Sequence, residues 1–128
     1  MRILITGTTG FVGHKLKASY TDAIAAPSLR NATRDMIMKI VEESEADVVI
    51  HTAAISDIGT CQKDPQSSYF ANVQIPLYLA AACKDRKLIC FSSDQVYSAC
   101  KEEGPYIEEV VKPGNIYAEH KLEMEERV

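Results

Sequence analysis

Tyr117 and Lys121 stand four residues apart in Tyr117-Ala118-Glu119-His120-Lys121, a spacing that puts a phenol and an ammonium on one face of a helix. A phenol titrates near pH 10 and is a poor acid or base at neutrality, whereas an ammonium beside it favours the phenolate. Bringing a phenol down by about three units corresponds to roughly 4 kcal/mol of differential stabilisation, within reach of a desolvated lysine and a second positive charge. A further candidate is Ser93 in Phe91-Ser92-Ser93-Asp94-Gln95-Val96-Tyr97, where a hydroxyl after an apolar run can donate to a carbonyl oxygen on which negative charge develops. The third constellation is Gly7-Thr8-Thr9-Gly10-Phe11-Val12-Gly13. Gly7 lets the chain turn, Gly10 lets backbone approach a pyrophosphate with no Cβ in the way, and Gly13 lets a helix pack on a sheet. Taken singly, each has a plain structural explanation. Tyr-x-x-x-Lys arises by accident on amphipathic helices, Ser-Asp forms turns, and a glycine-rich turn need hold no ligand.

The elements that must position these residues decide their weight. Arg2 to Thr6 is a short apolar strand that runs directly into the glycine turn, and Val12, Leu16 and Tyr20 then recur at helical spacing. A weaker strand at Asp22 to Ala26 is closed by Pro27 and Ser28. A helix opening at Thr33 places Met36, Ile37, Ile40 and Val41 on one face. Asp47 to Ala54 reads as a strand apolar on both faces, the pattern of a parallel strand covered on each side. Asp64-Pro65 makes a cap and first turn for a helix over Gln66 to Lys84, bent or broken at Pro76. Leu88 to Ser93 is the next buried strand, a loop with Gly104 and Pro105 follows, and a last helix holds Tyr117 to Val128. Strands alternating with helices predict an α/β fold, a Rossmann-type doubly wound parallel sheet. Such sheets bind ligands at the carboxyl ends of their strands, where the glycine turn, His51-Thr52-Ala53-Ala54 and Ser92-Ser93-Asp94 all fall.

With 128 residues, 46% hydrophobic and 25% charged, the chain is expected to form one domain. A net charge of −4 argues against a phosphate-neutralising nucleic-acid surface and favours a small-molecule partner. No apolar run approaches the roughly 18 residues needed for a bilayer, and no signal peptide is legible, so a cytoplasmic protein is expected. Cys61, Cys83, Cys90 and Cys100 form no Cys-x-x-Cys pair and His14, His51 and His120 are scattered; buried free thiols and no metal site are expected. Only four strands are visible. Residues 1–128 are therefore expected to be an incomplete NAD(P)-binding Rossmann domain, with later strands and a C-terminal substrate lobe absent, and a chain ending at Val128 is expected to be inactive alone.

The order of the motifs resembles the extended short-chain dehydrogenase/reductase family of the epimerase/dehydratase type. There a Thr-Gly-x-x-Gly-x-x-Gly turn, an Ala-Ala pair, a Ser or Thr after the next strand and Tyr-x-x-x-Lys recur in sequence. Within it the chain is most similar to the dTDP-4-dehydrorhamnose reductase-like sugar-nucleotide reductases, through Asn72, Ser93 to Tyr97 and Pro113 to Glu125. The resemblance implies an NAD(P)H-dependent oxidoreductase acting on a keto-sugar nucleotide. Tyr117 would be the proton donor, Lys121 its partner and a ribose ligand, Ser93 the donor to the carbonyl, and Asp94 a substrate contact. Gly7, Gly10, Phe11, Val12 and Gly13 would line the pyrophosphate, and Thr52, Ala53, Ala54 and Phe91 would lie along the cofactor. A homodimer is left open.

Three departures bear on this. Ala118 replaces the family's usual Gly. The acid expected after the second strand is missing, with Arg30 and Asn31 nearby; an arginine there could accept a 2′-phosphate, and NAD against NADP stays undecided. Gln95 stands where sugar-nucleotide dehydratases carry Glu, which lowers dehydratase below reductase and 4-epimerase. A non-catalytic nucleotide-binding role, like that of the regulatory subunit of methionine adenosyltransferase in related proteins, is the alternative from another class.

Overall fold

β1 (Ile3–Thr6) is buried at every position, as only an interior strand covered on both faces can be. The computed structural model describes all 128 residues. In it β1 pairs in parallel with β2 (Ile24–Ala25) on one side and β3 (Val48–His51) on the other, and β3 pairs in parallel with β4 (Lys87–Cys90). The strand order is β2-β1-β3-β4. Alternate residues feed opposite faces. Leu4 and Val49 pack with Ile37 and Val41 of α2 (Arg34–Ser44) and with Ile75 and Leu79 of α5 (Ile75–Ala82). Ile3, Ile5 and Ile50 pack on the other side with Leu16 of α1 (Phe11–Ser19). Helices on both faces of a parallel sheet give the expected doubly wound α/β architecture. No helix is long and apolar enough to cross a membrane.

Several boundaries differ from the sequence expectations. The second strand shrinks to two residues, and the third ends at His51, so Thr52, Ala53 and Ala54 lie beyond it. Lys87–Cys90 is an edge strand, and Lys87 and Ile89 are exposed rather than buried because they share the face that is left uncovered. Met36 points outward from α2 and Tyr20 lies past the end of α1. Cys61 and Cys83 are buried, whereas Cys90 and Cys100 are only half-buried.

A short helix, α3 (Ile58–Lys63), is absent from the sequence reading. Its signal is the cap: Asp57 Oδ1 accepts from Thr60 N at 2.6 Å. The long helix expected over Gln66 to Lys84 is three pieces: α4 (Pro65–Tyr69), a π-helical turn at Phe70–Gln74, and α5 with Pro76 in its first turn. Proline lacks an N–H and its ring crowds the carbonyl four residues back, which here belongs to Asn72; the wider π turn relieves that clash. It also leaves the Asn72 side chain buried against the segment after β3, where it donates to Ile55 O at 2.9 Å and accepts from Ile55 N at 3.2 Å. The strand outlet beside the glycine turn is thereby pinned.

Candidate active site

The glycine turn is built as its spacing requires. Gly7 has φ +70°, in the left-handed region that favours glycine, and a Cβ there would lie 2.6 Å from Ala53 N. At Gly13 a Cβ would lie 2.1 Å from Gly7 O and 2.6 Å from Thr52 Oγ1, so α1 reaches this close to β1 and β3 only with glycine. Gly13→Ala is expected to destabilise the fold by about 1–3 kcal/mol through overpacking, read as a lower urea midpoint. An unchanged midpoint would contradict the close packing.

Gly10, which precedes α1 as its cap, is different. A Cβ there would make one tight contact, 3.3 Å from Gly7 O, and meet nothing else within 4 Å, so beyond that oxygen the space in front of it is open. Open space before the first amides of α1 suits an anion such as a diphosphate. Phe11 and Val12 are exposed beside it, whereas Gly13 is buried under the turn and serves packing rather than the groove wall.

From Gly7 a groove of about 900 Å³ runs between Ala26 to Asn31 on one bank and Ala53, Ala54, Thr60 and Ser67 on the other. Arg30 lines it with an exposed side chain, and Asn31 beside it takes φ +60°. Thr52, expected along the cofactor, instead faces β1: its Oγ1 donates to Thr6 O at 2.6 Å and its N–H donates to Thr6 Oγ1 at 3.2 Å. It locks the glycine turn to β3.

The second half of the site is carried by α6 (Ile116–Arg127). Asn115 caps it, accepting from Ala118 N at 2.8 Å, and also donates through Nδ2 to Gln95 Oε1 at 3.2 Å. Gln95 belongs to a 3-10 turn at Asp94–Tyr97 that Ser93 opens, its Oγ accepting from Gln95 N at 3.2 Å. That bond uses a lone pair of Ser93 and leaves its O–H to donate elsewhere. Asp94 is exposed beside it.

Tyr117 and Lys121 are both buried on one stripe of α6. Lys121 Nζ donates to Phe91 O at 2.8 Å and lies 6.0 Å from the centre of the Tyr117 ring. Burial pulls the Lys121 pKa down, opposed by Cys90 and Glu125.

His51 joins the two halves, a part its place at the end of an apolar strand does not announce. It lines the groove, and Thr6, His51 and Cys90 occupy one rung at the ends of their strands. Thr6 Oγ1 lies 2.7 Å from His51 Nδ1. Burial, with the charge of Lys121 adding to it, holds the imidazole neutral with a pKa of about 3, and burial pushes the Cys90 thiol up to about 11. A histidine in an apolar strand gives no sign of which neighbours will surround it.

A family model described as the RmlD substrate binding domain matches residues 1–128. The chain belongs to this family. This RmlD-family chain is 32% identical over 136 residues to the dTDP-4-dehydrorhamnose reductase of Mycolicibacterium smegmatis, covering 99% of itself and 41% of that protein. Its structure is similar to a dTDP-4-dehydrorhamnose reductase ortholog from Clostridium acetobutylicum, with a TM-score of 0.88 and 26% identity over 100% of this chain and 49% of that one. It is also similar to RMD from Pseudomonas aeruginosa complexed with NADPH, with a TM-score of 0.80 and 28% identity over 98% of this chain and 46% of that one. The RmlD-family chain thus spans less than half the length of each.

Proposed function

We propose that the protein is an NAD(P)H-dependent reductase of a keto-sugar nucleotide, of the dTDP-4-dehydrorhamnose reductase kind. The observation that carries this reading is the α6 stripe of buried Tyr117 and Lys121, whose lysine holds Phe91 O two residues before Ser93, together with a groove that starts at the glycine turn. The NADPH complex of the Pseudomonas aeruginosa relative supports a nicotinamide dinucleotide as the occupant of that groove.

A nicotinamide bound there would supply the hydride for the carbonyl carbon. The chain's own residues do the rest. Backbone amides around Gly10 would hold the dinucleotide's diphosphate, Ala53 and Ala54, which line the groove, would lie along it, and Arg30, also in the lining, would meet a 2′-phosphate. Ser93 donates its O–H to the carbonyl oxygen, Tyr117 delivers a proton to the same oxygen, and the Lys121 ammonium stabilises the phenolate that remains. Asp94, exposed next to Ser93, contacts the sugar.

Fluorescence titration with NADPH and NADH tests the groove. Gly10→Val is expected to weaken binding by about 100-fold or more, because its side chain fills the open space in front of α1, while thermal stability stays near that of the parent. Equal affinity in parent and variant would refute the assignment. The same titration settles the cofactor: Arg30→Ala should weaken NADPH alone if Arg30 meets a 2′-phosphate.

A further inference from the structure

Glu125 has no part in the roles given so far. It lies four residues after Lys121 on the stripe of α6 that faces the outlet of β4, and its carboxylate accepts a hydrogen bond from Ser92 Oγ. One turn earlier, Lys121 Nζ donates to Phe91 O at 2.8 Å. Two residues of α6, one turn apart, therefore grip two consecutive residues of the chain immediately before Ser93. Beyond Ser93 the same segment is tied to the start of α6 through Gln95 and Asn115, at 3.2 Å. Ser93 is thus held between fastenings at both ends.

We propose that Glu125 is a positioning residue: through Ser92 it clamps the Ser93 segment against α6, and its charge balances that of Lys121. The proposal rests on the reading of Ser93, Tyr117 and Lys121 as the reacting set. Lys121 is faced by Cys90 from β4, His51 from β3 and Glu125 from its own helix. The thiol and the imidazole are uncharged near neutrality, which leaves Glu125 as the carboxylate that opposes the loss of the Lys121 proton. Glu123, Arg127 and His120 of α6 are engaged elsewhere. Glu123 pairs with Arg127 at 2.9 Å, Arg127 donates to Tyr69 of α4, and His120 meets Ser68 at 2.8 Å.

Two readouts that need no turnover test this, with Glu125→Gln, Glu125→Ala and Ser92→Ala as the variants; Ser92 and Glu125 are exposed, so none of these changes opens the core. The first readout is the titration midpoint of Lys121 from the ¹³Cε shift of labelled lysine. Glu125→Gln is expected to lower it by roughly half a unit, the effect of one charge several ångströms away in a largely aqueous dielectric, whereas Ser92→Ala leaves it in place. The second is hydrogen exchange of the Gln95 amide, which is bonded to Ser93. Ser92→Ala and Glu125→Ala are expected to speed it by about threefold to tenfold, the consequence of losing one exposed fastening, whereas Glu125→Gln keeps an acceptor oxygen for Ser92 Oγ and stays near the parent rate. A wild-type midpoint in Glu125→Gln or a wild-type exchange rate in Glu125→Ala overturns the proposal. If both readouts shift as expected and the full-length protein nonetheless reduces no keto-sugar, the clamp stands and the reductase reading falls.

Discussion

Tyr117→Phe is expected to lower the rate of keto-sugar reduction by about 10²- to 10⁴-fold, the usual contribution of a positioned general acid. The substitution removes one oxygen and keeps a ring that is 7% exposed in the first turn of α6, so packing around Ala118 and Met124 is preserved. Affinity for NADPH should stay within a few-fold, because the glycine turn and the groove from Gly7 to Ala54 are untouched. The loss should therefore fall on kcat and not on cofactor binding, the mark of an interaction made only in the transition state. Steady-state kinetics with direct titration of NADPH separate the two. A variant retaining more than about a tenth of the parent kcat would assign the proton to another group.

The second large effect is on stability in acid. The His51 imidazole is neutral in the fold because burial holds its pKa near 3, against 6.5 when exposed. The unfolded chain then binds a proton that the folded chain refuses, so the fold loses stability as the pH drops below 6.5 and continues to lose it toward 3. At about 1.4 kcal/mol per unit this amounts to roughly 2 kcal/mol by pH 5 and on the order of 4–5 kcal/mol by pH 3, a large share of a small domain's total. The carboxylates of Asp57 and Asp64, lowered chiefly by the hydrogen bonds they accept as helix caps, lose their stabilising contribution only at more acidic pH. The interval from pH 7 to pH 5 therefore reports on His51 and, with the same sign, on His120, whose pKa burial also lowers, and replacing His51 isolates its share. Urea unfolding of the parent and of His51→Gln at these two values should show the steeper loss in the parent. Parallel losses would mean that the imidazole is not held neutral by the fold.

What the sequence made legible divides along a physical line. Gly7, Gly10 and Gly13 could be read because a glycine after a buried strand answers a local demand on the backbone, and the structure meets that demand with a left-handed Gly7 and a contact that excludes any Cβ at Gly13. Tyr117 and Lys121 could be read because a spacing of four fixes one helix face whatever lies opposite. Pro76 announced a break, but the π turn that absorbs it depends on how Asn72 packs against Ile55. β4 is exposed on one face although its sequence is apolar, because an apolar run does not say whether both faces of a strand are covered. Gln95 with Asn115, Ser92 with Glu125, and His51 with Thr6 are pairs separated by 20, 33 and 45 residues, and nothing local in either partner announces the other. The short α3 had no apolar period, only the Asp57 cap.

The central claim is that this site moves a hydride to a keto-sugar carbon while Tyr117 protonates its oxygen. It is tested most directly by incubating the full-length protein with a dTDP-4-keto-6-deoxy sugar and reduced nicotinamide cofactor carrying two deuterons at C4, then following product label and cofactor together. The account predicts one deuterium on the former carbonyl carbon for each reduced cofactor consumed, and loss of both in Tyr117→Phe. Epimerised sugar with no net cofactor oxidation, or reduced product carrying hydrogen from solvent at that carbon, would contradict it.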